Sequence, residues 1–240
     1  MKLILSFFLL IFTCLQALNA TQKPIIYFIP GQGSDYRIFS KLELDNSYEI
    51  KHIHYKLPRE NMTMRDYAIE LSNQIDTTRS YIIVGVSLGG MLASEMIEFL
   101  DPKLVIIISS AKSKNELPRR FRMQQKFPVY KSVPGKTAKK GAKIAQPVFE
   151  PDRRHEKEIF KAMLEDKDPE FLRRTIKMIV EWEKSTYDNS IVHIHGTRDK
   201  TIPIRNVSSD HIVKRGSHMI TLTNPGVISD LINEILLKQY

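Results

Sequence analysis

Cysteine is almost absent. The single residue, Cys14, lies within the first twenty positions, so a chain trimmed after them would have none. That excludes a disulfide framework, a thiolate metal site and a cysteine nucleophile. Long apolar runs are missing too. The stretch from Leu3 to Leu15 is the most apolar segment, and it is too short to cross a bilayer as an ordinary helix. No internal repeat or heptad pattern is present, which excludes solenoids and coiled coils. Acidic residues are scarce in one place. Between Ala111 and Pro147 there are 11 lysines and arginines and one acid.

What remains is an ordinary globular composition, 42% apolar and 26% charged. A length of 240 residues suits one domain, with room for an insertion. The first twenty residues stand apart. Lys2, a short apolar middle and a small residue at Ala20 predict a secretory signal peptide over 1–20, cleaved after Ala20. The chain is then exported, to a periplasm or outside the cell. Export without disulfides fits a bacterial setting. Two other readings are an uncleaved anchor and a lipoprotein carrying its lipid on Cys14, for which the preceding "IFT" is a poor processing site. The sequons at Asn61 and Asn206 are short enough to arise by chance.

From Pro24 the chain alternates between two patterns. "PIIYFI" reads as a buried strand and "PGQGSD" as a glycine-punctuated loop. "YEIKHIH" (48–54) alternates like an edge strand. "TMRD" opens a helix with a hydroxyl cap at Thr63, its apolar face using Tyr67, Ile69, Leu71 and Ile75. Strand "YIIVGV", a helix over about 88–100 and strand "LVIIIS" follow. Strand–helix–strand with short connections predicts a mostly parallel sheet of about six strands, with helices on both faces.

The alternation stops at Ala111 and resumes with "IVHIH" at Ile191. Residues 111–190 read as an inserted helical lid, leaving 21–110 and 191–240 as the core. A crossover helix alone needs far less chain. After the lid come "IVHIHGTRD", a weak strand near "HIVKR" and a last helix from about Asn224, with Pro225 in its first turn. Charge divides at the same boundary: 20 basic against 12 acidic residues in the lid, 16 against 15 elsewhere. Met163, Leu164, Phe171, Ile176, Met178, Ile179 and Trp182 either wall a pocket or pack the lid onto the core. The basic run over 119–143 has three readings: a solvated face, attraction to anionic lipid or envelope polymer, or nucleic acid. An exported chain has little occasion to meet nucleic acid, and none is expected as a partner.

The chemistry centres on Gly85-Val-Ser87-Leu-Gly89. A serine raised on a tight strand-to-helix turn projects its hydroxyl at the carboxyl edge of a sheet, and glycines two residues away let that turn close. A serine hydroxyl is scarcely ionised at neutral pH and needs a base. Of seven histidines, His52, His54, His193 and His195 alternate within strands, His155 is in the lid and His211 is inside a strand. His218, in the loop "RGSHMI", is free to reach over the sheet edge. Asp199, just past a strand end in "HGTRDKTIP", is the orienting carboxylate, with Asp210 as the nearest rival. The oxyanion donors are the N–H of Leu88 and that of Gln32, flanked by Gly31 and Gly33. A phosphate loop is the other reading of "GQGSDYR", but position 36 is Tyr and no Walker lysine follows.

At this point the chain resembles the α/β-hydrolase superfamily. "PGQGSD", "GVSLGGM", "HGTRDKTIP" and "GSHM" are similar to its oxyanion loop, elbow, acid loop and histidine loop, and Ser87, Asp199, His218 follow its order. The resemblance covers about 24–110 and 191–240. Two features depart: the usual first two strands are missing, and Pro30-Gly31 stands where many members have His-Gly. The resemblance implies acyl transfer to water from a small or lipid-like ester, with no metal or cofactor. An acyltransferase or thioesterase uses the same triad. An envelope-associated binding protein would keep the fold without turnover.

Overall fold

Runs of isoleucine and valine, closed at one end by Gly, Pro or Ser, build a six-stranded sheet. A computed structural model describes residues 22–127, positions 137, 140 and 141, and residues 156–239. Residues 1–21, with Cys14 and Ala20, His155 and most of the basic run lie outside the described residues. The strands are β1 (Ile25–Ile29), β2 (Glu49–His52), β3 (Tyr81–Val86), β4 (Leu104–Ile108), β5 (Val192–Gly196) and β6 (His211–Val213). Their order is β2-β1-β3-β4-β5-β6, and every pairing is parallel.

Side chains alternate across this sheet, yet both faces are apolar. Ile25, Tyr27, Ile29, Ile83, Val105 and Ile107 belong to one core cluster, and Ile26, Phe28, Ile82, Val84, Ile106 and Ile108 to the other. A strand covered on both sides needs hydrophobes at every position, which is why β1, β3 and β4 read as unbroken runs. β2, at one edge, mixes exposed and half-buried residues, and β6 at the other has only three residues. Short, polar edge strands limit pairing with other chains.

The first face is covered by α1 (Met64–Ser72) and α2 (Leu88–Met96). Thr63 Oγ1 accepts the Asp66 N–H at 3.1 Å, while the Asp66 carboxylate accepts the Thr63 N–H at 3.2 Å. This reciprocal cap sets where α1 begins. One expected contact fails: Ile69 is 46% exposed. The buried stripe is Met64, Tyr67, Ala68, Leu71 and Ile75, and position 69 lies one step around the helix from it. α2 ends at Met96, short of the expected Leu100, and relaxes into turns.

Among the described residues, the segment between β4 and β5 has no strand. It carries α3 (Arg119–Lys126), α4 (Lys157–Glu165) and α5 (Pro169–Val180). Met163, Leu164, Phe171, Met178, Ile179 and Trp182 are all buried and belong to the two core clusters, Met178 and Trp182 also line a cavity of about 570 Å³, and Ile176 is half-buried. After β6 come a short α6 (Ile220–Thr223), which the sequence pattern does not predict, and α7 (Pro225–Gln239), which covers the second face through Ile228, Ile232, Ile235 and Leu236.

Candidate active site

β3 delivers Ser87 to the carboxyl edge of the sheet. Ser87 sits at φ 54°, ψ −117°, outside the basins that non-glycine residues favour. Close packing holds it there. Its N–H donates to the Ile108 carbonyl at 3.0 Å, and Ser110 Oγ donates to the Ser87 carbonyl at 2.6 Å. The flanking glycines are steric requirements. A Cβ on Gly85 would lie 2.3 Å from the Gly89 carbonyl oxygen, and one on Gly89 would lie 2.1 Å from the Ile29 carbonyl oxygen. Both clashes are with backbone, so neither is relieved by a rotamer change.

The structure brings the three predicted side chains together. His218 Nε2 is 2.8 Å from Ser87 Oγ, and His218 Nδ1 is 2.7 Å from Asp199 Oδ2. A carboxylate only accepts, so the hydrogen of a neutral His218 belongs on Nδ1, leaving the Nε2 lone pair to accept from the serine hydroxyl. The other carboxylate oxygen, Asp199 Oδ1, accepts the backbone N–H groups of Thr201 at 2.8 Å and Ile202 at 2.7 Å. Asp199 is 4% exposed and His218 is 6% exposed. The two loops are tied to each other: Thr197 N–H donates to the Val213 carbonyl and Arg198 N–H to that of Gly216. Asp210 is engaged elsewhere, accepting the His193 N–H at 2.7 Å with Lys112 Nζ at 3.6 Å.

Leu88 is the first residue of α2, where N–H groups have no helical acceptor. The "PGQG" loop lies against the nucleophile, since a Cβ on Gly31 would be 3.3 Å from Ser87 Cβ. Gly31 N–H donates to Ser34 Oγ and Tyr55 Oη to the Pro30 carbonyl, which hold the loop in shape. Gln32 adds a contact that its sequence context does not announce. Its side-chain Nε2 donates to Thr175 Oγ1 at 2.8 Å and to the Leu172 carbonyl at 3.0 Å, both on α5.

Beneath Asp199 lies a second feature missed from sequence. His193 and His195 are fully buried. His195 Nε2 is 2.8 Å from the Ile202 carbonyl oxygen and 3.4 Å from Asp199 Oδ2, so it is a donor. His195 Nδ1 lies 3.0 Å from His193 Nε2, and His193 Nδ1 lies 3.3 Å from the Ser208 carbonyl oxygen. Burial pushes the pKa of both imidazoles down, His193 the further. Placement of His195 directly before Gly196 and the acid loop was the one signal for this pair. His52 stacks on Phe28 and Phe39. Among the described residues, no group of three His, Cys, Asp or Glu is placed to hold a metal ion.

No protein-family model and no curated protein matches the chain. Solved structures do. A thermophilic esterase from Thermogutta terrifontis, malate bound, aligns with TM-score 0.70 and 17% identity over 90% of each chain. The enol-lactonase from Burkholderia xenovorans LB400 aligns with TM-score 0.68 and 13% identity, over 91% of this chain and 93% of that one. MenH from S. aureus gives 0.66 and 14%, over 91% and 95%. Identities this low speak to architecture. With the six parallel strands and their flanking helices, they establish that this chain has the α/β-hydrolase fold.

Proposed function

We propose that the protein is an exported serine hydrolase that cleaves an ester-type bond through an acyl-serine intermediate. The observation that carries the reading is the hydrogen-bonded chain from Ser87 Oγ through His218 to Asp199, with Ser87 held on a strained turn. Export rests on the leader over 1–20. That the aligned structures include a thermophilic esterase and an enol-lactonase supports the bond type.

In this mechanism Ser87 Oγ attacks the substrate carbonyl carbon as His218 Nε2 takes the hydroxyl proton. Asp199 stabilises the imidazolium and keeps its orientation. The carbonyl oxygen becomes an anion held by the Leu88 and Gln32 backbone N–H groups. The tetrahedral species collapses, the bond to the alkoxy group breaks, and His218 returns the proton to that leaving oxygen. Water then repeats the sequence on the acyl-serine, with His218 as base, releasing the acid and restoring Ser87.

The test is hydrolysis of short p-nitrophenyl esters by the wild type and by Ser87→Ala. The variant is expected to lose about three orders of magnitude or more in kcat. A fluorophosphonate probe should label Ser87 in the folded wild type only. Equal turnover by the two proteins would remove Ser87 from the reaction.

A further inference from the structure

The helix that opens the insertion carries a surface that the hydrolytic reading does not use. α3 is fastened along one side. Phe121 packs against the first core cluster, and Gln125 Nε2 donates to the Val180 carbonyl at 2.7 Å. At about 100° per residue, Arg119, Met123, Lys126 and Phe127 fall on the opposite side. Met123 is 62% exposed and Phe127 is 69% exposed. Two large apolar side chains, four residues apart and set among cations, stand in water.

The same helix begins at a basic cavity. Asn115, Arg119, Arg120, Arg205 and Asn206 help to line a volume of about 560 Å³, and none of its described lining residues is acidic. Arg120 is held over the acid loop by bonds to the Thr201 and Lys200 carbonyls. A neighbouring cavity of about 650 Å³ shares Arg120 and Arg205 and adds Arg198 and Lys200. Asp199 also lines it, but that carboxylate is occupied by His218, Thr201 and Ile202. Beyond α3 the sequence continues basic, with five cations and no acid over 127–147.

Apolar side chains flanked by cations match one boundary in particular, where lipid phosphates meet acyl chains. A nucleic-acid duplex, contacted through its phosphates, would use the arginines and leave Met123 and Phe127 without a role. We propose that the outward face of α3 and the adjoining arginine-lined cavity dock on an anionic phospholipid bilayer. Met123 and Phe127 enter the headgroup layer, and Arg119, Lys126 and Arg205 face phosphates.

Sedimentation of the full chain with vesicles tests this. Vesicles of phosphatidylcholine alone are compared with vesicles that also contain phosphatidylglycerol. Binding to the anionic vesicles should exceed binding to neutral ones by about tenfold or more and weaken with salt. Neutral vesicles report the apolar contribution alone, from the segment before residue 21 in every variant and from Met123 and Phe127 where they are kept. Met123→Ser/Phe127→Ser should reduce the anionic component by about tenfold, and Arg119→Ser/Arg205→Ser by about fivefold per cation removed. Phe127→Gln alone carries the apolar arm if the double variant fails to fold by circular dichroism. Equal binding to both vesicle types, no vesicle binding by the wild type, or wild-type binding by the serine pair would each overturn the proposal. So would heparin binding as tight as vesicle binding and indifferent to Met123 and Phe127, which would mark a general polyanion site. None of these side chains touches Ser87, His218 or Asp199, so turnover of a soluble ester should be unchanged in every variant. Loss of docking is thereby distinguishable from failure of the hydrolase reading.

Discussion

The backbone of Ser87 is held at a cost of about 1–3 kcal/mol. The contacts that maintain it come from β4, from Ser110 and from the first turn of α2, where Gly90 and Met91 N–H groups both reach the Ser87 carbonyl. This arrangement has no room for a methyl group at Gly89. Gly89→Ala is expected to lower unfolding stability by about 3 kcal/mol or prevent folding, read from urea denaturation. A wild-type midpoint would mean the turn is looser than it looks. At Asp199 the requirement is chemical. Asparagine keeps the acceptor for Thr201 and Ile202 but turns an N–H toward His218 Nδ1. The imidazole must then carry its hydrogen on Nε2, facing Ser87, and loses its role as base. Asp199→Asn should therefore lower kcat by about four orders of magnitude with an unchanged circular dichroism spectrum. Activity within tenfold of wild type would break the assignment. These residues were legible in the sequence because each sits in a short motif whose local chemistry is distinctive. His193 and His195 were not, since alternation in a strand says only that two side chains share a face.

Between elements, the most consequential contact joins the Gln32 loop to α5. Thr175 Oγ donates to the Phe171 carbonyl at 2.7 Å and accepts from Gln32 Nε2, so it presents a fixed acceptor to the loop that abuts Ser87. The salt bridges of Arg37 to Asp35 and Asp166, 2.6 and 2.5 Å, fasten the same region to the stretch between α4 and α5. The insertion therefore helps to hold the loop that carries a proposed oxyanion donor. Thr175→Val removes the latch with little change in volume. It should lower kcat about tenfold while leaving KM near its wild-type value, because an oxyanion donor acts on the transition state. Thr175→Ser should restore the rate. A change confined to KM would instead assign α5 to substrate binding. No sequence pattern foretold this contact, which spans 143 residues. The helical character of α5 was legible, and so was its apolar stripe, but not which of two roles that stripe serves.

Across the whole molecule, burial of titratable groups shapes the response to acid. His193 and His195 have pKa values pushed below 6.5, first of all by desolvation. Well above pH 6.5 they are neutral both folded and unfolded, and they contribute no pH dependence. As pH falls through 6.5 the unfolded chain takes up protons that the folded chain resists, so stability drops until the folded-state pKa values are reached. The slope is at most about 1.4 kcal/mol per pH unit per histidine. Urea midpoints at pH 7.5, 6.5 and 5.5 should decline in that order, and a flat profile would show that the pair is solvated. At this scale the sequence by itself determined the elements, the two-sided burial of the sheet and the elbow, because hydrophobic period, caps and glycine spacing are properties of neighbouring residues. Only the tertiary structure decided that β1 lies between β2 and β3, that Gln32 is latched to α5, and that His218 reaches Ser87 across 131 residues. Those outcomes depend on how crossovers stack strands and where loops emerge at the sheet's edge, and nothing in a local pattern encodes a distance between segments that meet only after the core has formed.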